Sequence, residues 1–194
     1  MERSNAVAVP PSASRTRRSF TVEEYHRMAE ARILTEDDRV ELMDGAILAM
    51  TPIGPRHAQI VNRLTQQLVL ALSEVALVSV QNPIHLADDT EPQPDIALLR
   101  PDVDYGEAHP RPDDVLLLVE VADTSLDYDR GVKLPRYARA GIPEVWLVDV
   151  SGNVVEQYTE PRGAQYESQR TVARGHTLRA QTVPVVVEVE AILG

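Results

Sequence analysis

Apolar positions recur along this chain with two periods, and the change from one period to the other marks out strands and helices. Ile60, Val61, Leu64, Leu68, Leu72 and Val75 fall at helical spacing, so a long helix is predicted from His57, its apolar stripe laid on a sheet. A shorter helix is predicted to open at Thr21, where Glu24 three residues on completes a capping box and Val22, Tyr25, Met28 and Ala29 form the stripe. Between them, residues 40–43 and 46–48 flank Asp44-Gly45, a pair that supplies the positive φ of a tight hairpin. Residues 77–87 read as one or two strands interrupted near Asn82-Pro83, and residues 88–91 as an exposed acidic loop. Pro92 and Pro94 then stiffen the approach to Asp95, which stands at the start of a strand.

The densest apolar pattern lies further on. Residues 115–119 form a continuous run of the kind found in strands covered on both faces, and Glu120 follows directly. An Asp-rich loop leads into a helix carrying Lys133, then into a second apolar strand over 145–150 that turns through Ser151-Gly152-Asn153 into 154–159. Residues 166–172 are expected to be another strand, Gly175-His176 a turn, and 183–187 a last strand or closing segment. No internal repeat and no second domain is visible. Residues 101–114 are a polar loop of Pro, Asp and Gly.

Composition narrows the classes of chemistry. The 194 residues suffice for one domain with its own core, and the absence of cysteine excludes disulfides, thiolate metal sites and cysteine nucleophiles. No apolar run has the length of a membrane span, and the N-terminus lacks the basic-then-apolar order of a signal peptide, so a soluble cytoplasmic protein is expected. Residues 1–18, rich in Ser, Pro and Arg, read as a flexible tail ahead of a domain over 19–194. A formal charge of −11 argues against a general nucleic-acid coat protein but not against a nuclease, since a carboxylate site for divalent cations itself adds negative charge. Arg130, Lys133, Arg136 and Arg139 suggest a local basic face.

Glu120 requires a partner, because an ionised carboxylate in a two-sided strand is costly without one. If Asp95 begins a neighbouring strand, its carboxylate meets that of Glu120 near one end of the sheet. Two such acids, with a carbonyl and waters, suit Mg2+ or Mn2+, and a nearby lysine would complete a site for phosphoryl transfer. Asp127 and Asp129 read as helix caps, Trp146 as core, Asp149 as a strand-end turn and Gln59 as helix surface.

Taken together, VELMDGAILAMTPIGPRH, PQPDIALLRPD and LLLVEVADTSLDYDRGVKLPRYARAGIPEVWLVDV resemble the Uma-type restriction endonuclease family, which belongs to the PD-(D/E)XK nuclease superfamily. The resemblance runs from about residue 21 to residue 175. It implies an α/β, restriction-endonuclease-like core, a mixed β-sheet flanked by helices in a single domain, and metal-dependent cleavage of phosphodiester bonds in DNA. It also implies Asp95 and Glu120 as catalytic metal ligands with Mg2+ or Mn2+ as cofactor. The superfamily's lysine, two residues after the acid, is here Ala122, and the Uma-type pattern carries its lysine where Lys133 stands. Glu41 matches an acid of the family pattern and either joins the metal site or is the polar face of a hairpin strand. His57 matches the family's histidine, to hold a phosphate, a water or a carboxylate, or to cap or pack the helix. Asp123, Thr124 and Ser125 depart from the family's Ser-Pro-Ser-Thr-like residues. Cutting both strands of a duplex with one site per chain implies a homodimer. The competing expectations are a catalytically inactive scaffold that keeps the fold to oligomerise or bind a partner, and a metal-dependent hydrolase of RNA or nucleotides.

Overall fold

The computed structural model describes residues 18–35 and 37–194. Apart from Arg18, the tail expected over residues 1–18 lies outside the described residues, as does Glu36 of the acidic loop.

The Thr21 capping box forms as predicted: the Thr21 side chain accepts from the Glu24 N–H, and the Glu24 side chain accepts from the Thr21 N–H, opening helix α1 (Val22–Glu30). Strands β1 (Val40–Met43) and β2 (Ala46–Ala49) pair as an antiparallel hairpin. Its turn places Asp44 at φ 48° and Gly45 at φ 71°. A Cβ on Gly45 would stand 2.5 Å from Ser19 Cβ, so both conformation and space demand glycine. Gly45→Ala is expected to cost about 1–2 kcal/mol of stability or more, read from denaturant unfolding, for the left-handed backbone alone.

Helix α2 (Pro55–Leu72) begins two residues earlier than expected because Pro55, with its fixed φ, suits the first helical turn. It also ends sooner. Val75 lies beyond its C-terminus and is 40 % exposed, so it is no part of the buried stripe. Strand β3 (Leu77–Val80) follows, and no second strand forms over 81–87. The expected exposed loop is only half exposed: Asp88 and Asp89 face solvent, whereas Thr90 and Glu91 are buried, because Glu91 bridges to Leu42 of β1 through backbone hydrogen bonds.

Six strands form the central sheet in the order β3, β4 (Ile96–Leu99), β5 (Val115–Ala122), β6 (Glu144–Asp149), β7 (Val154–Arg162) and β8 (Gln165–Ala173). Only β5 and β6 run parallel, so the sheet is mixed. The helical crossover between them consists of α3 (Leu126–Tyr128), a π-turn (Asp129–Lys133) and α4 (Leu134–Ala140). The π-turn has a local cause. Pro135 has no N–H to give Gly131, and its ring would crowd that carbonyl, so the backbone opens and the Leu134 N–H bonds Asp129 O instead. Strands β9 (Thr177–Arg179) and β10 (Val186–Glu188) form a separate ladder, and helix α5 (Val189–Leu193) ends the chain. Of the last strand or closing segment expected over 183–187, only residues 186 and 187 enter a strand, and that strand lies outside the main sheet.

Alternation along β5 divides the core. Leu117, Val119 and Val121 face α2, the β9–β10 ladder and α5, whereas Leu118 and Ala122 face Leu134 and Tyr137 of the crossover. The architecture is a mixed α/β single domain, a six-stranded sheet flanked by helices. Trp146 is fully buried, as expected, and donates to Glu144 at 2.7 Å; Asp149 accepts from Ser151 Oγ and the Gly152 N–H at the turn. Gln59 is exposed on the helix surface. Among the described residues no helix is long and apolar enough to cross a membrane.

Candidate active site

Antiparallel register pairs Ile96 with Val119, which sets Asp95 across from Glu120 on the face toward the crossover helix. Asp95 Oδ2 accepts from the Val121 N–H at 2.8 Å, so the carboxylate is locked onto β5 next to Glu120. Its remaining bonds come from His57 Nε2 at 3.0 Å and from Gln81 Nε2 at 3.3 Å to Oδ1. His57 thus lies beside an acid of the site, near the start of α2. Hydrogen bonding to Asp95 raises its pKa against the opposing effect of burial, with Asp95, Asp123 and Asp129 adding their fields.

Lys133 reaches the same place from the crossover. Its Nζ lies 3.2 Å from Glu120 Oε1 and 3.5 Å from Glu41 Oε2, and the residue is 6 % exposed. Burial alone would push the ammonium down, but Glu120, Glu41, Asp129 and Asp95 together outweigh it and hold Lys133 charged, above its ordinary range. Tyr137 donates to Glu120 Oε1 at 2.5 Å. Glu41 enters from β1, accepting from Tyr128 at 3.0 Å and from the Gln93 N–H at 3.2 Å. Arg136 clamps the hairpin to the crossover through Asp44.

Asp129 does not cap the start of the following helix, whose N-cap is Lys133. Asp129 sits inside the π-turn, 3 % exposed, and accepts from Ser125 Oγ at 2.6 Å. Asp127 is not an N-cap either, since Ser125 occupies the N-cap position of α3. The expected basic face is largely consumed internally: Arg130 pairs with Glu156 at 2.5 Å, Lys133 with the site acids and Arg136 with Asp44, while Arg139 stays exposed. Only Lys133 is drawn inward by buried acids, whereas Arg130 and Arg136 are paired at the surface.

Asp95, Glu120, Glu41, Asp129, Lys133 and His57 all line one cleft of about 520 Å³, together with Asp123, Thr124 and Ser125. Five carboxylates against Lys133 and Arg39 leave the cleft short of positive charge. The consequence falls on Glu120, whose pKa is pushed up to about 8 by burial and by the Asp129 and Asp95 carboxylates, against Lys133 and Tyr137. An all-oxygen donor set short of positive charge fits a hard dication. The acids are not tightly gathered, however. Among the described residues, the set with one ligand atom each within 4.8 Å of the others is His26, Glu91 and His109, not Asp95, Glu120 and Glu41.

A stability prediction follows from Glu120. With its folded pKa above its unfolded value of 4.5, the folded state keeps a proton that the unfolded chain has lost, so the contribution is full below about pH 4.5 and disappears as pH rises to about 8. Chelator-treated protein is expected to lose stability across that window, and Glu120→Gln to flatten the slope, as measured by urea unfolding at several pH values.

Sequence reasoning did not single out Tyr128, Tyr137 or Gln81, and misassigned Asp129. One signal was present: Asp129, Lys133 and Tyr137 are spaced four apart, which puts them on one helical face.

A mixed α/β domain with acids and a lysine at one end of the β4–β5 pair belongs, as a class, with nuclease-like folds. A solved structure of a "putative nuclease belonging to DUF820" from Anabaena variabilis matches with a TM-score of 0.67 at 13% identity, covering 90% of this chain and 97% of that one. The family Uma2, described as "Putative restriction endonuclease", matches residues 22–191, and the chain belongs to that family. No curated protein matches it.

Proposed function

We propose that the protein is a Mg2+- or Mn2+-dependent endonuclease that hydrolyses phosphodiester bonds in DNA, acting as a homodimer in the cytoplasm. The observation that carries this reading is Asp95, directly before β4, held by the Val121 N–H beside Glu120 on β5, with the Lys133 ammonium 3.2 Å from Glu120. Family membership adds support. Asp95 and Glu120 would hold the cation, with Glu41 as a further oxygen donor. When bound there, the cation supplies Lewis-acid polarisation of a phosphodiester oxygen and lowers the pKa of water.

The chain's own residues do the rest. The Val121 N–H and Gln81 orient the Asp95 carboxylate, and His57 fixes the other side of it. Lys133 is held charged between Glu120 and Glu41, where it can orient an attacking water or stabilise charge growing on the phosphoryl oxygens. Tyr128 and Tyr137 anchor the two carboxylates and keep their oxygens from rotating away. Asp123, Thr124 and Ser125 stand on the cleft wall, where a substrate backbone would pass.

One observation favours a second reading. Lys133 already gives Glu120 and Glu41 a counter-ion, which suits a catalytically silent nuclease fold kept as a scaffold for oligomerisation or a partner. Plasmid DNA incubated with the purified protein and Mn2+ separates the two: metal-dependent nicking supports the endonuclease, and its absence together with a stable dimer supports the scaffold.

A further inference from the structure

Three of the chain's five histidines gather around one buried acid, and none of the four residues lines the cleft of Asp95 and Glu120. Glu91 is the acid, with its side chain 1% exposed. His26 on α1 places Nε2 at 2.7 Å from Glu91 Oε1, and His85 places Nδ1 at 3.8 Å from Oε2. His109, from the polar loop over 101–114, brings its ring to 5.6 Å from that of His26, nearly edge-on. One ligand atom each from His26, Glu91 and His109 lie within 4.8 Å of one another.

The backbone holds these donors in place before any ligand arrives. The Glu91 N–H bonds Leu42 O at 2.8 Å, the Val22 N–H bonds Asp88 O at 2.7 Å, and the His85 N–H bonds Pro110 O at 2.9 Å. Glu91 is nonetheless incompletely satisfied: its Oε2 is buried with no hydrogen-bond partner among the described residues. Among the described residues its ion-pair partners are His26 and His85 alone, with no lysine or arginine. A buried carboxylate oxygen left without a donor is costly, and here it faces imidazole nitrogens.

From this geometry we propose a second metal site, for Zn2+ or a similar borderline ion, with His26, Glu91 and His109 as ligands and His85 beside Glu91 at 3.8 Å. Two or three imidazoles with one carboxylate select such ions over Mg2+ or Ca2+, which prefer oxygen throughout. The donor atoms need to settle at separations of about 3.3 Å for tetrahedral coordination, and the exposed His109 ring has room to swing inward. The three donors come from three separate segments, so the ion would tie α1, the segment carrying Glu91 and the 101–114 loop together. This site is independent of the nuclease reading.

The test uses the full-length protein, freed of metal with a chelator and titrated with Zn2+ by calorimetry, with Co2+ absorption reporting the ligand field. Expected, with excess Mg2+ present to occupy the Asp95–Glu120 cleft, are one Zn2+ per chain, tetrahedral d–d bands with Co2+, and slower proteolysis within 101–114 when Zn2+ is added. His26→Ala and His109→Ala are each expected to weaken binding at least about tenfold, while Asp95→Asn leaves it unchanged. His109 is exposed, so its variant should keep the fold, as circular dichroism would verify. Failure of the wild type to bind Zn2+, unchanged binding in His109→Ala, or loss of binding in Asp95→Asn would each overturn the proposal.

Discussion

Lys133→Met is expected to lower DNA cleavage by at least about a hundredfold, the usual cost of deleting one preorganised electrostatic group from a transition state. The same change should destabilise the metal-free protein by about 3–5 kcal/mol, because Glu41 is then buried without its counter-ion and Glu120 loses the one cation that favours its charged form. The two effects are separable. A dication held by those carboxylates restores the missing charge, so Mn2+ should recover much of the lost stability while cleavage stays low. Thermal unfolding with and without Mn2+, run beside a plasmid assay, reads both quantities. Unchanged cleavage in the variant would remove Lys133 from the mechanism.

Asp95→Asn is expected to abolish metal-dependent cleavage with less disturbance of the fold. Asparagine keeps an oxygen that can accept from the Val121 N–H, so the link between β4 and β5 survives. What disappears is the charge that would hold a dication beside Glu120. His57 changes with it, since its bond to Asp95 is the first cause of its raised pKa; without that charge its titration is expected to move down, an effect that NMR of the ring protons follows directly. Mn2+ affinity and cleavage should fall together by at least about two orders of magnitude, consistent with several kcal/mol of lost electrostatic stabilisation. A variant that cleaves normally would mean that Asp95 only bridges the strands.

Much of this site was legible in the sequence because it is built on short-range patterns. The apolar run before Glu120, the prolines before Asp95 and the Asp44-Gly45 turn after Glu41 each specify a local conformation, and together they place two acids on strands and a third directly before one. Strand alternation then puts Glu120 on the crossover side, where Lys133 meets it. Other features depend on tertiary contact. Nothing local distinguishes Asp129 from a capping aspartate, and the π-turn that carries it inward arises from Pro135 acting against the carbonyl of a residue one turn earlier. Glu91 reads as a solvated loop acid until its bridge to Leu42 buries it, and its three histidines come from segments that local periodicity cannot bring together. The expected basic face loses Lys133 for a related reason: the charge of a helical residue says nothing about whether a buried acid lies opposite.

The central claim is that Glu120 and Asp95 form a cation site that drives phosphodiester cleavage. It is tested most directly by Mn2+ calorimetry on wild type and Glu120→Gln, with plasmid cleavage followed in the same buffer. The prediction is Mn2+ binding that is lost in Glu120→Gln, together with nicking that requires both the metal and the wild-type acid. Equal binding in the two proteins, or none in either and no nicking, would contradict it.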